Sequence, residues 1–152
     1  MKILFVCTGN SCRSVMAEYL FNKIAAERGL SGWEARSAGI AAERYFGVPP
    51  EALKALDERG ISEVRHVPQL ATRELMAWAD LVLCMAAVHF EVLHDQFPEH
   101  IEKTHLFLKY AGLGERDVDD PIGQPDEVYR RTRDIVGSGL EAVLKRDAYA
   151  KP

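Results

Sequence analysis

The feature that most constrains this chain is the segment Cys7–Ser14, which separates a short apolar run from a helical pattern. The run Ile3–Val6 is unbroken, as is typical of a strand buried on both faces of a parallel sheet. After the segment, Met16, Leu20 and Ile24 recur at helical spacing. The sequence therefore predicts a strand, a tight loop and a helix, and the N–H groups of such a loop bind anions together with the helix N-terminus.

The loop carries the residue types needed for attack on a phosphoryl group. Cys7 stands at its start, where N–H groups, a helix N-terminus and a nearby arginine favour the reactive thiolate. Arg13 lies six residues later, and its planar guanidinium can bind two phosphate oxygens. We predict that Cys7 attacks phosphorus to give a phosphocysteine, the alternative being a buried structural cysteine beside a surface arginine. The predicted phosphate-binding residues are Thr8, Gly9, Asn10, Ser11, Cys12, Arg13 and Ser14.

The composition indicates a single globular domain spanning residues 1–152. The net charge of −4 gives no indication of nucleic-acid binding. The cysteines number three, and two of them lie in the loop, which argues against a secreted disulfide framework. The chain has no signal-peptide pattern and no apolar run long enough to cross a membrane. We therefore expect a cytoplasmic protein without a membrane partner.

Three further predicted strands alternate with helices. The strands are predicted at residues 33–39, 80–85 and 104–108, and the helices at residues 50–60, 72–78, 87–96 and 126–145. Strands separated by helices give right-handed crossovers, so we predict an α/β fold with a four-stranded parallel sheet and helices on both faces. The loop then lies at the carboxyl end of the first strand, where open sheets of this class bind ligands. Residues 147–152 are expected to fray.

A second candidate segment is Val118–Gly123, which contains the adjacent acids Asp119 and Asp120 followed by Pro121. Cleavage of a phosphate ester requires a proton for the leaving group, and a carboxylic acid on a mobile loop can supply it. Asp-Asp-Pro is also common in solvated turns. The position of the segment just before the final helix favours the catalytic interpretation.

The pattern Cys7-x5-Arg13-Ser14 after an N-terminal strand resembles the low-molecular-weight protein tyrosine phosphatase family, and related arsenate reductases and protein-arginine phosphatases share the scaffold. The resemblance covers nearly the whole chain and implies a flavodoxin-like topology with strand order 2-1-3-4. It also implies that Asp120, immediately before the proline, is the general acid and later the base that activates water, with Asp119 as its neighbour. Because the loop and Arg13 supply positive charge, we expect neither a metal nor another cofactor.

The same resemblance assigns supporting roles to polar residues around the loop. It implies that Asn10, Ser14, Ser37 and His66 form a hydrogen-bond network that fixes the loop. Ser37 lies in a Ser-Ala-Gly sequence that also suits an ordinary strand-end turn. A lone histidine such as His66 is also common as a surface residue.

The resemblance further implies a substrate wall in the loop 40–50, near Arg44 and Tyr45. We expect Phe46 instead to anchor that loop to the core. The resemblance also implies a reversible disulfide between Cys7 and Cys12, which would protect the nucleophile from over-oxidation. A small buried loop residue is the alternative interpretation of Cys12.

Three other histidines and the third cysteine are not expected to carry chemistry. His89 and His94 lie five residues apart, a spacing that does not place two ligands on one helical face. We therefore expect these two and His100 to be solvated and to bind no metal. Cys84 lies in a predicted strand and is expected in the core.

The predicted substrate is a phosphorylated protein, bound by a monomer. Ile122-Gly123 replace the aromatic residues that flank the ring in phosphotyrosine-specific members, and Ser11 resembles the threonine of the arginine phosphatases. We expect hydrolysis of phosphotyrosine, with phosphoarginine as the alternative. The relay of the related arsenate reductases needs two further cysteines on the segment after the third strand. This chain offers only Cys84, which lies within that strand, and residues 86–97 contain no cysteine. A non-catalytic phosphate-binding module is the remaining alternative.

Overall fold

A four-stranded parallel sheet forms the centre of the computed structural model, which describes residues 1–149. The strands are β1 (Lys2–Cys7), β2 (Glu34–Gly39), β3 (Leu81–Cys84) and β4 (Thr104–Leu106). They lie in the order β2-β1-β3-β4, and every neighbouring pair is parallel. The predicted α/β fold and strand order are therefore confirmed. Residues 150–152, part of the segment in which we expect fraying, lie outside the described residues.

Helices cover both faces of the sheet. They are α1 (Arg13–Glu27), α2 (Pro50–Asp57), α3 (Arg73–Trp78), α4 (Ala87–Gln96), α5 (Phe107–Tyr110) and α6 (Asp126–Asp147), with a 3₁₀ turn at Pro98–Lys103. Within residues 1–149, no helix combines the length and the apolar character needed to cross a bilayer.

The alternating side chains of β1 enter two separate hydrophobic clusters. Ile3 and Phe5 join the larger cluster, which includes side chains of α1, α2 and α6. Leu4 and Val6 join the smaller cluster, to which α3 and α4 contribute. A strand with helices on both sides buries every residue, which explains why this run contains no polar position.

The end of β4 differs from the predicted strand. The strand stops at Leu106, and the short helix α5 begins at Phe107 instead of extended chain continuing to residue 108. Phe107 is fully buried and packs edge-on against Phe5, with ring centroids 5.8 Å apart. The turn at this point places the Phe107 ring against Phe5 of β1. This long-range contact outweighs the local preference for extended chain.

Candidate active site

The loop between β1 and α1 lies at the carboxyl edge of the sheet. Its tight course includes Asn10 in the left-handed region, with a φ of 54°. Gly39 at the end of β2 allows the loop to approach closely. A Cβ on that glycine would collide with the carbonyl oxygen of Thr8 and lie 3.0 Å from the Asn10 nitrogen. The small residue at the end of the Ser-Ala-Gly sequence is therefore a steric requirement of the loop.

The Asn10 side chain is the centre of the hydrogen bonds that hold the loop. Its amide nitrogen donates to the hydroxyl oxygens of Ser14 and Ser37, both at 2.9 Å. Its carbonyl oxygen accepts from the backbone N–H of Gln69 at 3.0 Å. His66 donates from Nε2 to the backbone oxygen of Asn10 at 2.8 Å. All polar groups of this fully buried amide are thus satisfied, which fixes both the rotamer and the backbone.

Two further residues extend this network, and the sequence did not indicate either of them. Ser37 donates its hydroxyl hydrogen to Glu18 at 2.8 Å, and burial raises the pKa of that carboxyl. Gln69 donates from its side chain to the backbone oxygen of Ser37 at 3.0 Å. Burial lowers the pKa of His66, so the neutral imidazole is favoured at its contact with the loop.

Cys7 lies at the base of the loop, beside Ser14. Its Sγ is 2.9 Å from the Ser14 hydroxyl oxygen, and both residues are buried. Because that oxygen already accepts from Asn10, the Ser14 hydroxyl hydrogen is free to point at the sulfur. A donor aimed at Cys7 stabilises negative charge on the sulfur atom, as a nucleophile requires.

The second cysteine of the loop is in a different environment. Cys12 is buried at 4% exposure, immediately before α1. Burial raises the pKa of its thiol strongly, and the nearby Cys7 adds to the effect. Cys12 therefore remains protonated at neutral pH, so the two loop cysteines are chemically distinct. The disulfide between them stays a prediction, since both thiols are free in the structure.

Arg13 connects the loop to the segment that carries the acids. Its Nη1 donates to the backbone oxygen of Val118 at 2.9 Å, and its Nη2 lies 3.6 Å from a carboxylate oxygen of Asp120. The other Asp120 oxygen accepts from the Ile122 N–H at 3.1 Å, which forms a local turn. Asp119 is exposed beside it. The predicted nucleophile, arginine and acid therefore lie together at one end of the sheet.

These side chains line a cleft of about 310 Å³. The lining residues are Cys7, Thr8, Gly9, Ser11, Cys12, Arg13, Phe46, Gly47, Pro49, Asp120 and Ile122. Acidic, basic and thiol groups thus meet apolar walls in a space large enough for a phosphorylated side chain. In the part of the chain covered by residues 1–149, no three His, Cys, Asp or Glu side chains are arranged to hold a metal ion.

The wall of the cleft differs from the predicted one. Neither Arg44 nor Tyr45 lines the cleft, and Phe46, which we expected in the core, takes that place. The Phe46 ring lies against Gly9, where an added Cβ would be 3.3 Å from the ring. Tyr45 is 81% exposed and packs edge-on against Phe46. The aromatic character of the loop was visible in the sequence, but only packing decides which ring faces the cleft.

His89 also corrects the sequence-based expectation, because it is not solvated. It is fully buried near the start of α4, and its Nε2 lies 2.9 Å from the hydroxyl oxygen of Thr8. Its Nδ1 accepts from the N–H of Ala86 at 3.0 Å. His89 lies in the first turn of α4, and its side chain caps the helix by accepting from the N-cap N–H. The position of His89 near the start of the predicted helix was the sequence signal for this role. His94, by contrast, is exposed.

The fold and the loop define the class of protein, an α/β protein with a cysteine at the base of a phosphate-sized loop. The chain belongs to the low molecular weight phosphotyrosine protein phosphatase family, whose model matches residues 2–149. A protein-arginine phosphatase from Bacillus subtilis (strain 168) is 40% identical over 146 residues, which cover 96% of each chain.

Solved structures agree with this assignment. A low molecular weight protein tyrosine phosphatase from T. tengcongensis superimposes with a TM-score of 0.91 and is 39% identical, covering 96% of this chain and 99% of that one. A variant of the arginine phosphatase YwlE, in which serine replaces cysteine and the active-site serine is phosphorylated, gives a TM-score of 0.90. It is 39% identical and covers 98% of this chain and 99% of that one.

Proposed function

We propose that this protein removes phosphate from a phosphorylated protein side chain through a phosphocysteine intermediate. The observation that carries the proposal is the convergence of Cys7, Arg13 and Asp120 on one cleft, with the arginine bridging the two segments. A nucleophile, an anion clamp and an acid are the groups that this chemistry needs. A non-catalytic phosphate-binding module would need only the clamp.

In the first step, the Cys7 thiolate attacks phosphorus in line with the leaving group. The N–H groups of the loop and the Arg13 guanidinium hold the non-bridging oxygens as their charge redistributes. Asp120, whose side chain is 45% exposed at the mouth of the cleft, donates its proton to the departing atom. The products of the step are the dephosphorylated side chain and a phosphocysteine.

In the second step, the Asp120 carboxylate accepts a proton from a water molecule, which attacks the phosphocysteine. The sulfur–phosphorus bond breaks, and inorganic phosphate and the thiolate are released. Ser14 stabilises the departing sulfur through the same hydrogen bond that it offers to the resting nucleophile. The phosphorylated active-site serine of the YwlE variant supports an enzyme-bound phosphate in this family.

Phosphoarginine is the substrate class that the cleft supports best. Ser11 lines the cleft with a small polar side chain, and Ile122, which also lines it, stands where the family resemblance implies an aromatic residue in phosphotyrosine-specific members. A guanidinium leaving group is positively charged once protonated, and the acidic pair Asp119 and Asp120 attracts that charge. The 40% identical protein-arginine phosphatase supports the same class.

Phosphotyrosine is the second candidate, and one observation favours it. Phe46 lines the cleft and provides an apolar aromatic surface on which a flat ring can pack. The likeness to a solved tyrosine phosphatase supports it as well. Arsenate reduction is less well supported, because Cys84 is fully buried and burial raises the pKa of its thiol to about 12.

The test is hydrolysis of a phosphoarginine peptide and a phosphotyrosine peptide, measured side by side. Cys7→Ser should abolish phosphate release, and Asp120→Ala should lower kcat by about 10²- to 10⁴-fold. Asp119→Ala is the matched control and should cause a much smaller loss. Faster turnover of one peptide identifies the substrate class. Absence of turnover of both peptides by reduced, folded protein would refute the proposal.

A further inference from the structure

The contacts of His89 determine which of its nitrogens carries the proton. The backbone N–H of Ala86 can only donate, so the Nδ1 atom that receives it at 3.0 Å must have a free lone pair. In a neutral imidazole, the proton is then on Nε2. That atom lies 2.9 Å from the Thr8 hydroxyl oxygen and donates to it. The two fixed contacts therefore select one tautomer.

The surroundings of His89 keep the ring neutral. Its side chain is fully buried, and burial lowers its pKa to about 4, with the nearby Arg13 guanidinium acting in the same direction. The negative charges of Asp117 and Asp120 oppose this lowering of the pKa, although less strongly. Asp117 is itself held at the start of α4, where it accepts from the Ala87 N–H at 2.9 Å.

The bond from His89 restricts what the Thr8 hydroxyl can do. Since the hydroxyl oxygen accepts from Nε2, its single hydrogen must point away from the imidazole. Thr8 is the residue after the nucleophile, its side chain is exposed, and it lines the cleft. The hydrogen of a hydroxyl held in this way is available to an acceptor in the cleft.

We infer that His89 is a positioning residue that fixes the Thr8 hydroxyl as a hydrogen-bond donor to the oxygens of the phosphoryl group bound in the cleft. The inference rests on the proposed function for the identity of the bound group. In the phosphate-binding loop, the backbone N–H groups are fixed by the fold, whereas a hydroxyl can rotate. The histidine removes this freedom before the anion binds, and preorganised donors bind charge best.

Binding of inorganic phosphate tests the inference without requiring turnover. Thr8→Val removes the donor and keeps the shape, so the dissociation constant for phosphate should rise about two- to tenfold, the value of one hydrogen bond. His89→Leu should have an effect of similar size. Because Thr8 is exposed, its valine variant is expected to fold even if the buried leucine variant does not.

The decisive measurement is the coupling between the two positions. In the Thr8→Val background, a further His89→Leu substitution should change phosphate binding by less than about twofold. An undiminished effect in that background would overturn the inference, because a purely structural role of His89 does not depend on Thr8. Thr8→Ser should bind phosphate more tightly than Thr8→Val, and His89→Gln, which keeps a donor, more tightly than His89→Leu.

Two additional readouts separate this inference from the proposed function. Proton–nitrogen NMR correlations of the imidazole should show the Nε2–H tautomer of His89 at pH 7, and the Nδ1–H tautomer would overturn the inference. If the wild type hydrolyses phosphopeptides, KM should rise more than kcat falls in Thr8→Val. Another outcome is that phosphate binding by the variants shows the predicted coupling between Thr8 and His89 while the wild type hydrolyses neither peptide. In that case, the proposed function fails and the positioning role stands.

Discussion

The Arg13 guanidinium donates a 2.9 Å hydrogen bond to the backbone oxygen of Val118, which lies 105 residues further along the chain. Val118 in turn donates from its N–H to the backbone oxygen of Met85 at 2.7 Å, just after β3. The arginine is therefore held by the same segment that carries Asp120, and the acid segment is attached to the sheet. The relative positions of Cys7 and Asp120 depend on this chain of contacts.

Arg13→Lys should lower kcat/KM by about 10²- to 10³-fold, the loss typical of a preorganised charge-stabilising donor. A lysine has no planar fork, so it cannot hold two phosphate oxygens and the Val118 carbonyl oxygen in the same geometry. Steady-state hydrolysis of the preferred phosphopeptide measures the effect. Arg36→Lys, on the exposed side of β2, is the matched control. Activity of Arg13→Lys within threefold of wild type would contradict the assigned role.

Ser14→Ala should slow the alkylation of Cys7 by iodoacetamide at pH 7 by about tenfold, because a hydrogen bond to a charged group is lost. The fold should be retained, as judged by circular dichroism. Ser37→Ala removes a hydroxyl from the same network without touching the sulfur atom, and its effect on alkylation should be smaller. Equal rates for all three proteins would show that the hydroxyl does not stabilise the thiolate.

Asn10→Ala should lower the free energy of unfolding by about 2–4 kcal/mol, measured by chemical denaturation. The substitution leaves buried partners of the amide unsatisfied and places alanine in the left-handed region. Asn10→Gly removes the same side chain, but glycine adopts the left-handed backbone conformation without strain. This variant should therefore be about 1 kcal/mol more stable than Asn10→Ala. If both variants match the wild type, the network does not hold the loop.

Two glycines of α6 should respond in opposite directions to alanine. A Cβ on Gly139 would collide with the Phe107 ring, lying 2.8 Å from its Cε1, so we expect a destabilisation of about 1–3 kcal/mol. Gly137 has no atom within 4 Å of such a Cβ, and alanine there should stabilise the helix by about 0.5–1 kcal/mol. Denaturant titrations of both variants test the packing of α6. Equal effects would contradict it.

Protonation of His89 should make the protein less stable in mild acid. The pKa of the native imidazole is about 4, against 6.5 for the ordinary side chain, so between these values the unfolded chain binds more protons. The free energy of unfolding should therefore fall as the pH is lowered from 6.5 to 4, by up to about 3 kcal/mol from this residue. His89→Gln should flatten this dependence, and the exposed His94→Gln should not. Parallel curves for wild type and His89→Gln would be the contrary result.

The sequence by itself determined the fold class and the position of the cysteine and the arginine in the first loop. The unbroken run Ile3–Val6, the loop from Cys7 and the helical spacing after it are local patterns, and each predicts its element from nearby residues alone. The alternation of strands and helices fixed the parallel sheet, and the family resemblance implied the strand order now observed. The Asp-Pro segment was visible for the same reason, since it is contiguous in the chain.

Only the tertiary structure decided which distant side chains complete the site. The sequence gives no reason why Gln69 should bond to Asn10, why His89 should reach Thr8, or why Phe46 rather than Tyr45 should line the cleft. Each contact joins segments brought together by sheet pairing and helix packing. Local periodicity reports which face of an element is buried, but the partner that meets a polar group on that face depends on the packing of the whole chain.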